Sequence, residues 1–401
     1  MIVSVSRYRW VILVLAYLCM LGFAFTFQSL PPVLTFVTEE LRLTHAEAGL
    51  LMSLFSLPAI FLGILAGMLS DRLGPFKIGV ISLILMTLGT LIFAVSGTLV
   101  YAGLGRVIAG VGAATISIVA AQVLSLWFRG REAGTAMGIF NTAMPLGTII
   151  CFTIFGGLGE SLGWRMPIFI TVIIGVIGIA AFLILYKPAP NPPQKITLEK
   201  ERLLPGLLKV EVPVWLVGFC WMWFNAAVIS FSTFAPDFFI SNGYSIGFAG
   251  FLTSLLMWGS LGLSPIVGSL VDKVGNNDLF IGAGGAILAT AIYLVTKSSD
   301  FLFPMVVMAV AVAFIPAPVF AFPSKILKPK HLGLAFGILS AVSSIGMLFG
   351  PYVAGLFRDK TGSYETSFIF LSTLAVLVTV TAITLRIQTR RGRKSPVITR
   401  G

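Results

Sequence analysis

A charged turn that occurs twice, half a chain apart, is the feature that most constrains the fold. Residues 67–74 read Gly-Met-Leu-Ser-Asp-Arg-Leu-Gly, and residues 268–275 read Gly-Ser-Leu-Val-Asp-Lys-Val-Gly. Each copy closes a long apolar run, and the glycines, the aspartate and the cation keep their spacing. A charged turn repeated at this distance between apolar segments predicts a membrane protein built from two copies of one unit.

The composition places the whole chain, rather than one segment, in lipid. Of 401 residues, 57% are hydrophobic and 10% are charged, whereas soluble domains average about 25% charged residues. A membrane-spanning helix needs about 20 apolar residues, and the chain divides into twelve such runs, the expected spans 1 to 12. Their bounds are 9–37, 46–70, 77–96, 98–127, 134–158, 164–186, 212–240, 247–271, 279–296, 301–325, 332–357 and 366–386. The predicted fold class is an all-α polytopic membrane protein with twelve transmembrane helices.

The distribution of basic residues predicts the orientation of these spans. If the N-terminus is cytoplasmic, 21 of the 27 lysines and arginines fall in cytoplasmic segments, and Arg106 falls inside span 4. The outer loops then hold only Arg42, Arg165, Lys297, Arg358 and Lys360. This asymmetry follows the positive-inside rule and predicts a plasma-membrane protein with both termini in the cytoplasm. It also accounts for the net charge of +12 without a nucleic-acid partner, because a basic tail binds anionic lipid headgroups.

The repeat extends beyond the two turns and divides the chain into halves. Residues 134–139 align with residues 333–338 at an offset of 199, and in that frame Glu160 aligns with Asp359. Ala48-Gly49 aligns in the same way with Ala249-Gly250. A proline-rich and then charged segment separates the halves, as is typical of a linker. The predicted units are an N-terminal six-helix bundle (1–186), a cytoplasmic linker (187–211), a C-terminal six-helix bundle (212–388) and a basic cytoplasmic tail (389–401).

Three motifs make the chain resemble the major facilitator superfamily over essentially its full length. Residues 67–77 resemble the family's loop motif between spans 2 and 3, although Pro75-Phe76 stand where a second basic residue is expected. Residues 105–112, which contain Arg106, resemble the span 4 arginine motif, and residues 134–147 a degenerate form of the span 5 glycine-proline motif. The resemblance implies two pseudo-symmetric six-helix bundles that rock about a central site. Within the superfamily, segments of spans 1, 2 and 5 are most similar to the cyanate-permease-like branch.

The repeated turn is the expected gate on the cytoplasmic side. Gly67 allows a neighbouring helix to approach closely, and the Asp71 carboxylate can accept N–H groups at a helix N-terminus. The resemblance implies that this helix is span 11, so that the bond holds the halves together and breaks when the cytoplasmic side opens. A plain solvated turn is the alternative. The expected gating residues are Gly67, Asp71, Arg72, Gly74 and Lys77, with Asp272 and Lys273 as the weaker pseudo-symmetric partner against span 5.

Arg106 is the one fully charged side chain expected well inside the bilayer. A cation there costs about 2.5–3.5 kcal/mol on insertion scales, so it must face protein or water. Two roles stay open: it binds an anionic solute, or it bonds backbone carbonyls and polar groups of spans 1 and 2. No Asp or Glu falls near the middle of an expected span, which argues against a cationic solute and a dedicated internal proton carrier. Proton coupling would then run through the solute, Asp237 or His45.

The other polar groups at membrane depth are amides and hydroxyls. Gln28 and Asn225, with Trp221 and Trp223 nearby, offer amide donors and an aromatic wall to a small polar molecule. Plain contact between helices is the alternative for each amide. The expected substrate-binding residues are Arg106, Gln28, Asn141, Asn225, Trp221, Trp223 and Ser340.

These observations predict a secondary active transporter that moves a small, anionic or polar organic solute by alternating access. A multidrug efflux pump of the same fold is the first alternative, although the acidic residue that would attract cations is not found. A non-transporting membrane receptor is the second. The expected partners are the solute and the lipid bilayer, with coupling to protons or a counter-anion left open, and the chain is expected to be a monomer.

An enzyme is not expected. The two histidines, His45 and His331, lie in loops, and Cys19, Cys151 and Cys220 are scattered through apolar spans. These positions provide neither a nucleophile–base pair nor a set of metal ligands. The sequence also lacks the glycine-rich loop and lysine that bind ATP phosphates. No cofactor and no metal is therefore expected.

Overall fold

The computed structural model describes residues 7–128, 132–190, 211–327 and 332–394. Within these ranges the chain is helical apart from short connections, and twelve helical spans are long and apolar enough to cross a membrane. The predicted all-α fold with twelve spans is confirmed. Most of the predicted linker (187–211) and of the basic tail (389–401), and also His331, lie outside the described residues.

The twelve spans follow one another through short turns. Their bounds are Arg9–Gln28, Pro31–Val33 and Leu34–Leu41 for span 1; His45–Leu73 for span 2; Pro75–Ala94 for span 3; Leu99–Trp127 for span 4; Ala133–Asn141, Ala143–Ile150, Cys151–Phe155 and Gly156–Leu162 for span 5; and Arg165–Leu185 for span 6. The second half has Val212–Ser241 for span 7; Ile246–Val274 for span 8; Asn277–Lys297 for span 9; Leu302–Phe314 and Pro316–Ile326 for span 10; Leu332–Thr361 for span 11; and Tyr364–Lys394 for span 12.

Proline explains where spans 1, 5 and 10 are interrupted. Pro31 begins a 3₁₀ turn in span 1, Pro145 lies three residues after the break at Thr142 in span 5, and Pro316 begins the second helix of span 10. A proline has no N–H for the carbonyl four residues earlier, and its ring crowds that carbonyl. Pro351 lies inside an unbroken span 11, so proline alone does not break a span. Span 5 also contains a wider π-helical turn at Cys151–Phe155.

The two ends of the helical spans define two faces of the molecule. Span 1 begins and span 12 ends on the same side, which we call the terminal face. The opposite side, where span 2 begins, is called the His45 face. Odd-numbered spans run from the terminal face to the His45 face, and even-numbered spans return.

Within the first half, spans 3 and 4 approach each other through glycine. A Cβ on Gly112 would overlap the backbone of Ser82 and Met86, and a Cβ on Gly105 would lie 2.6 Å from the backbone nitrogen of Phe93. Helices in lipid gain no hydrophobic driving force from association, so close backbone packing stabilises the pair instead. The glycines of the arginine motif therefore serve helix packing as well as the placement of Arg106.

We predict that Gly112→Ala destabilises the protein by about 1–3 kcal/mol, because the new methyl group overpacks a backbone contact. Gly178→Ala is the matched control, since Gly178 is also helical but a Cβ there meets no described atom within 4 Å. The control should be neutral or slightly stabilising, because alanine favours helix by about 1 kcal/mol. Thermal unfolding in detergent checks both variants, and equal midpoints would contradict this account of the packing.

Candidate solute cavity and its gates

On the His45 face the two halves touch backbone to backbone at two related places. A Cβ on Gly49 of span 2 would overlap the carbonyl of Pro351 in span 11, and a Cβ on Gly250 of span 8 would overlap the carbonyl of Phe152 in span 5. Gly49 aligns with Gly250 at an offset of 201, and Phe152 with Pro351 at an offset of 199. The repeat read from the sequence is thus a repeat of contacts, and glycine is required at both places.

A second related pair continues this seal toward the surface. A Cβ on Gly355 of span 11 would overlap the backbone of His45, and a Cβ on Gly156 of span 5 would lie 2.8 Å from the Ile246 side chain of span 8. Positions 45 and 246 are equivalent in the repeat, as are positions 156 and 355. Spans 2 and 11, and spans 5 and 8, therefore close the His45 face along matching surfaces.

Among the described residues, a polar cluster lies over the contact between spans 2 and 11 and has no counterpart over the contact between spans 5 and 8. Asp359 of span 11 accepts hydrogen bonds from the backbone nitrogens of His45 (2.9 Å) and Ala46 (2.8 Å), and its carboxylate lies 2.9 Å from His45 Nδ1. Asp237 of span 7 accepts a hydrogen bond from Thr35 of span 1 at 2.7 Å and one from Tyr364. The carboxylates of the second half thus bond groups at the start of span 2 and in span 1, across the boundary between the halves.

Toward the terminal face the halves separate. Gly63 of span 2 still lies near span 11, since a Cβ there would be 3.6 Å from Ser340 Oγ, but a Cβ on Gly67 one turn further would meet no described atom within 4 Å. Asp71 accepts a hydrogen bond from Gln122 Nε2 of span 4 at 2.6 Å, which is a contact inside the first half. The space between the halves is therefore closed at the His45 face and opens toward the terminal face.

Five side chains lie at one depth in this space. Tyr17, Asn141 and Ser340 are each eight residues from the terminal-face end of their helix, and Trp221 is nine, which places them about 12–14 Å from that end. Thr142 follows Asn141, and its hydroxyl oxygen lies 3.3 Å from that of Tyr17. Asn141 and Ser340 are exposed, and a polar side chain exposed at this depth is stable where it faces water between the halves.

The break in span 5 adds a backbone acceptor to this layer. Pro145 has no N–H to give to the carbonyl of Asn141, so that carbonyl lacks its helical partner. Positions 141 and 340 are equivalent in the repeat, as are 63 and 264. Ser264 Oγ of span 8 is buried and has no hydrogen-bond partner among the described residues. Span 5 thus contributes an exposed amide and a carbonyl without its usual helical donor, and span 8 contributes a buried hydroxyl at the equivalent position.

Aromatic side chains form the facing wall in the second half. Trp221 contacts Phe224 of its own span and Phe320 of span 10, with ring centroids 5.1 Å apart in both pairs. Phe320 in turn lies 6.3 Å from Phe336 of span 11. Trp223 packs against Phe349, which is also in span 11. Asn225 donates to the Trp221 carbonyl one turn earlier at 2.7 Å, so its amide group is engaged within span 7.

Arg106 and Gln28 lie in a different layer, near the His45 face. The Arg106 guanidinium donates to the backbone carbonyls of Leu51 (3.1 Å), Thr26 (2.9 Å) and Phe27 (3.3 Å). It lies 4.7 Å from the centre of the Phe55 ring, and the residue is 1% exposed. Gln28 is also 1% exposed, and its Oε1 has no partner among the described residues. Of the two roles open for Arg106, this geometry favours the one that bonds spans 1 and 2.

The predicted gating residues lie together at the terminal face but do not bridge the halves among the described contacts. Asp71, Arg72, Lys77, Asp272 and Lys273 are exposed. Gly74 and Gly275 adopt φ values of +90° and +73°, which L-residues rarely adopt, so glycine is required to end spans 2 and 8 in this way. Gly67 faces open space. The two repeated turns thus have similar roles as helix ends, and their role as a gate stays a prediction.

Sequence reasoning missed Tyr17, Ser264 and the cluster around Asp359 as parts of the site. For Ser264 a signal existed, because it is the repeat equivalent of Gly63 and lies one residue before Pro265. In the described part of the chain, no group of three or more His, Cys, Asp or Glu side chains is placed to hold a metal ion.

Comparisons with known proteins identify the same architecture. The profile of the family described as Major Facilitator Superfamily matches residues 16–300 and 230–401. The human lysosomal dipeptide transporter MFSD1 is 24% identical over 400 residues, covering 94% of this chain and 86% of the relative. The hexuronate transporter of Bacillus subtilis strain 168 is 22% identical over 374 residues, covering 87% of each. A crystal structure of a point mutant of the nucleoside transporter NupG superposes with a TM-score of 0.79 at 14% identity, covering 94% of this chain and 100% of that chain.

We predict that Arg106→Lys destabilises the protein by about 1–3 kcal/mol, because an ammonium group cannot reach carbonyls of both spans and leaves buried acceptors unpaired. Arg42→Lys is the control, because Arg42 is exposed in the loop before span 2 and substitutions at exposed positions usually change stability by no more than about 0.5 kcal/mol. Thermal unfolding of the two purified variants compares them. If Arg106→Lys lowers the unfolding midpoint no more than the control does, the structural role is contradicted and the role in anion binding is favoured instead.

We also predict that Gly250→Ala opens the His45 face. The methyl group overlaps the Phe152 carbonyl in the closed arrangement, so a cost of about 1–3 kcal/mol falls on that arrangement. This cost shifts the closed-to-open ratio by roughly 5- to 160-fold. Spin labels on Gly97→Cys and Ser299→Cys, which lie in exposed loops of opposite halves on this face, report the distance. Gly247→Ala of the same span, where a Cβ meets nothing within 4 Å, should leave the distance unchanged; an unchanged Gly250→Ala would contradict the seal.

Proposed function

The chain belongs to the major facilitator superfamily, and from this membership and the cavity geometry we propose how it carries its solute. It is a secondary transporter of small organic solutes and not an enzyme. The cavity open at the terminal face and sealed at the His45 face is one of the two states that alternating access requires. This one-sided opening is the observation that carries the proposal.

The terminal face is cytoplasmic in this proposal, so that the described state faces inward. The support is the charge distribution, since most basic residues flank the terminal face and short basic loops stay in the cytoplasm. The plasma membrane is the proposed location, and a monomer of two six-helix bundles, residues 1–186 and 212–388, is the proposed working unit. The His45 face then carries the outer gate.

The layer of Tyr17, Asn141, Thr142, Trp221 and Ser340, together with Ser264 of span 8, is the proposed solute site. It combines hydroxyls, an amide and a carbonyl without its helical donor on one side with aromatic rings on the other, which suits a small molecule with several hydrogen-bonding groups. Relatives named as dipeptide and hexuronate transporters carry solutes of this kind that also bear a carboxylate. Asn225 and Trp223 support the aromatic wall. Arg106 and Gln28 shape the outer half of the first bundle, and the solute's negative charge is met by hydrogen-bond donors.

Asp71 is the proposed latch of the alternate state. In the described state it bonds Gln122, so it is free to exchange that partner for the N-terminus of span 11 when the terminal face closes. Arg72, Lys77, Asp272 and Lys273 would then flank the closed inner gate, with Gly67 at the point where the helices meet. The second turn lacks the equivalent of Lys77 and so forms the weaker contact.

The named relatives support a class of solute for this chain, but they do not identify a coupling ion. The relatives described above are named for dipeptide and hexuronate transport, so the likeness to the cyanate-permease-like branch stays a prediction. Efflux of amphipathic cations has no support in the layer, which contains no carboxylate among the described residues. The coupling ion stays open between protons and a counter-anion.

We predict that small hydroxylated or amide-bearing carboxylates, such as glucuronate or a dipeptide, stabilise the purified protein against heat. A compound at 100 times its Kd contributes about 2.7 kcal/mol to the free energy of unfolding. Asn141→Ala should weaken the binding of such a compound roughly tenfold, or about 1.4 kcal/mol. The control is Thr290→Ala, since Thr290 is exposed on peripheral span 9 and bonds only its own helix.

The screen is run with cyanate and a neutral sugar as comparison compounds, and uptake of any stabilising compound is then measured in proteoliposomes. Stabilisation that is equally strong in Asn141→Ala would contradict the proposed site. A compound that binds but is not carried across the bilayer would contradict the proposed transport.

A further inference from the structure

The imidazole of His45 lies between carboxylates from two spans of the other half. His45 Nδ1 is 2.9 Å from Asp359 Oδ1 of span 11, and Nε2 is 3.7 Å from Asp237 Oδ2 of span 7. A neutral imidazole has one N–H, so one of its nitrogens would direct a lone pair at a carboxylate oxygen. The imidazolium has two N–H groups, so it donates to Asp359 and at the same time directs an N–H and its charge at Asp237, with which it forms an ion pair. We propose that His45, Asp237 and Asp359 form a proton-binding site that fastens the outer gate.

Among the described residues, Arg42 and Glu47 flank His45 in the sequence, and the other charged and titratable groups of the cluster come from spans 11 and 12. Span 2 itself contributes Glu47, which accepts a hydrogen bond from the Thr44 backbone in a capping box and so faces its own helix start. Span 12 contributes Tyr364, whose hydroxyl donates to Asp237. Span 11 contributes Arg358 beside Asp359, and its guanidinium lies over the Tyr364 ring at 4.8 Å. Two carboxylates in contact outweigh this one cation, which contacts a ring face rather than the imidazole.

The site is partly open to the medium on its own side. The side chains of His45, Asp237 and Asp359 are 30%, 18% and 24% exposed. Below them, glycine-mediated backbone contacts such as that of Gly49 with Pro351 close the path to the cavity. Protons therefore reach His45 from the His45 face and not from the cavity.

The proton site breaks the two-fold repeat of the fold. The repeat equivalent of His45 is Ile246, and the equivalent of Asp359 is Glu160. Ile246 packs its side chain against Gly156, and Glu160 is exposed. The backbone seal is therefore present twice, whereas the ionic fastening is present once, at spans 2 and 11. A feature added to one copy of a repeated seal indicates a role beyond closing the gate.

Opening of the gate separates the three groups, because His45 belongs to the first half and both carboxylates to the second. This step rests on the alternating access proposed above. The closed state then binds one more proton than the open state, so acid on the His45 face favours closing. For one proton the closed-to-open ratio changes by at most about tenfold per pH unit. An acidic medium outside would thus hold the cavity open toward the terminal face.

The test measures the label distance between Gly97→Cys and Ser299→Cys in nanodiscs from pH 8 to pH 5, a range above the ordinary titration of carboxylates. With His45 intact, the fraction at the short, closed distance should rise as the pH falls. His45→Gln keeps a hydrogen-bond donor but does not titrate, and should remove this response. Glu160→Gln, which changes the repeat equivalent of Asp359, is the matched control and should respond like the unmodified chain.

Asp237→Asn provides an independent variant should His45→Gln fail to fold. With one carboxylate removed the site binds its proton less tightly, so the response should move to lower pH. If the label distance changes with pH in either variant as it does in the unmodified chain, or if it does not change with pH in the unmodified chain, the proton site is contradicted. The gate formed by the backbone contacts is not contradicted by either result. A single distance at every pH, even in Asp359→Asn, would instead contradict rocking of the halves and the proposed function with it.

Discussion

Direct contact of helix backbones across the boundary between the halves is the constraint on which the rest of the structure depends. In lipid, apolar side chains gain nothing by leaving the solvent, so two bundles adhere through close packing and hydrogen bonds. Gly49 and Gly250 allow the carbonyls of Pro351 and Phe152 to reach the facing helix. At these two points the helices touch through backbone atoms, so any side chain larger than that of glycine would hold the halves apart.

The glycine contacts are repeated in both halves, whereas the ionic contact of Asp359 occurs at one of the two places, and the two kinds of contact have different roles. The repeated glycine contacts define where the halves meet, and they are the same for spans 2 and 11 as for spans 5 and 8. The carboxylate of Asp359 bonds two of the N–H groups that open span 2, groups that no earlier turn of that helix can satisfy. Because it is charged, this second contact depends on conditions outside the protein, whereas the first does not.

The parts of the fold set by local pattern could be predicted from the sequence. Twelve apolar runs and the offset repeat, which includes the alignment of Gly49 with Gly250, follow from composition and spacing. The site was harder. Arg106 bonds carbonyls of Leu51, Thr26 and Phe27, and backbone acceptors have no sequence signature. The carboxylates at His45 come from spans 7 and 11, so only their arrangement in space reveals that they meet.

The arrangement of spans 2 and 11 suggests how the state open at the terminal face and the state open at the His45 face can have similar free energies. The two helices run antiparallel, and each has a carboxylate near its C-terminal end, Asp71 and Asp359. Each carboxylate can therefore face the N-terminus of the other helix, where an anion is stabilised by up to about 2 kcal/mol. In the proposed cycle, closing one face would engage one carboxylate and release the other. With two such terms of similar size, a proton at His45 or a solute at Asn141 would need a differential affinity of only about one to two kcal/mol, roughly five- to thirtyfold, to choose the state.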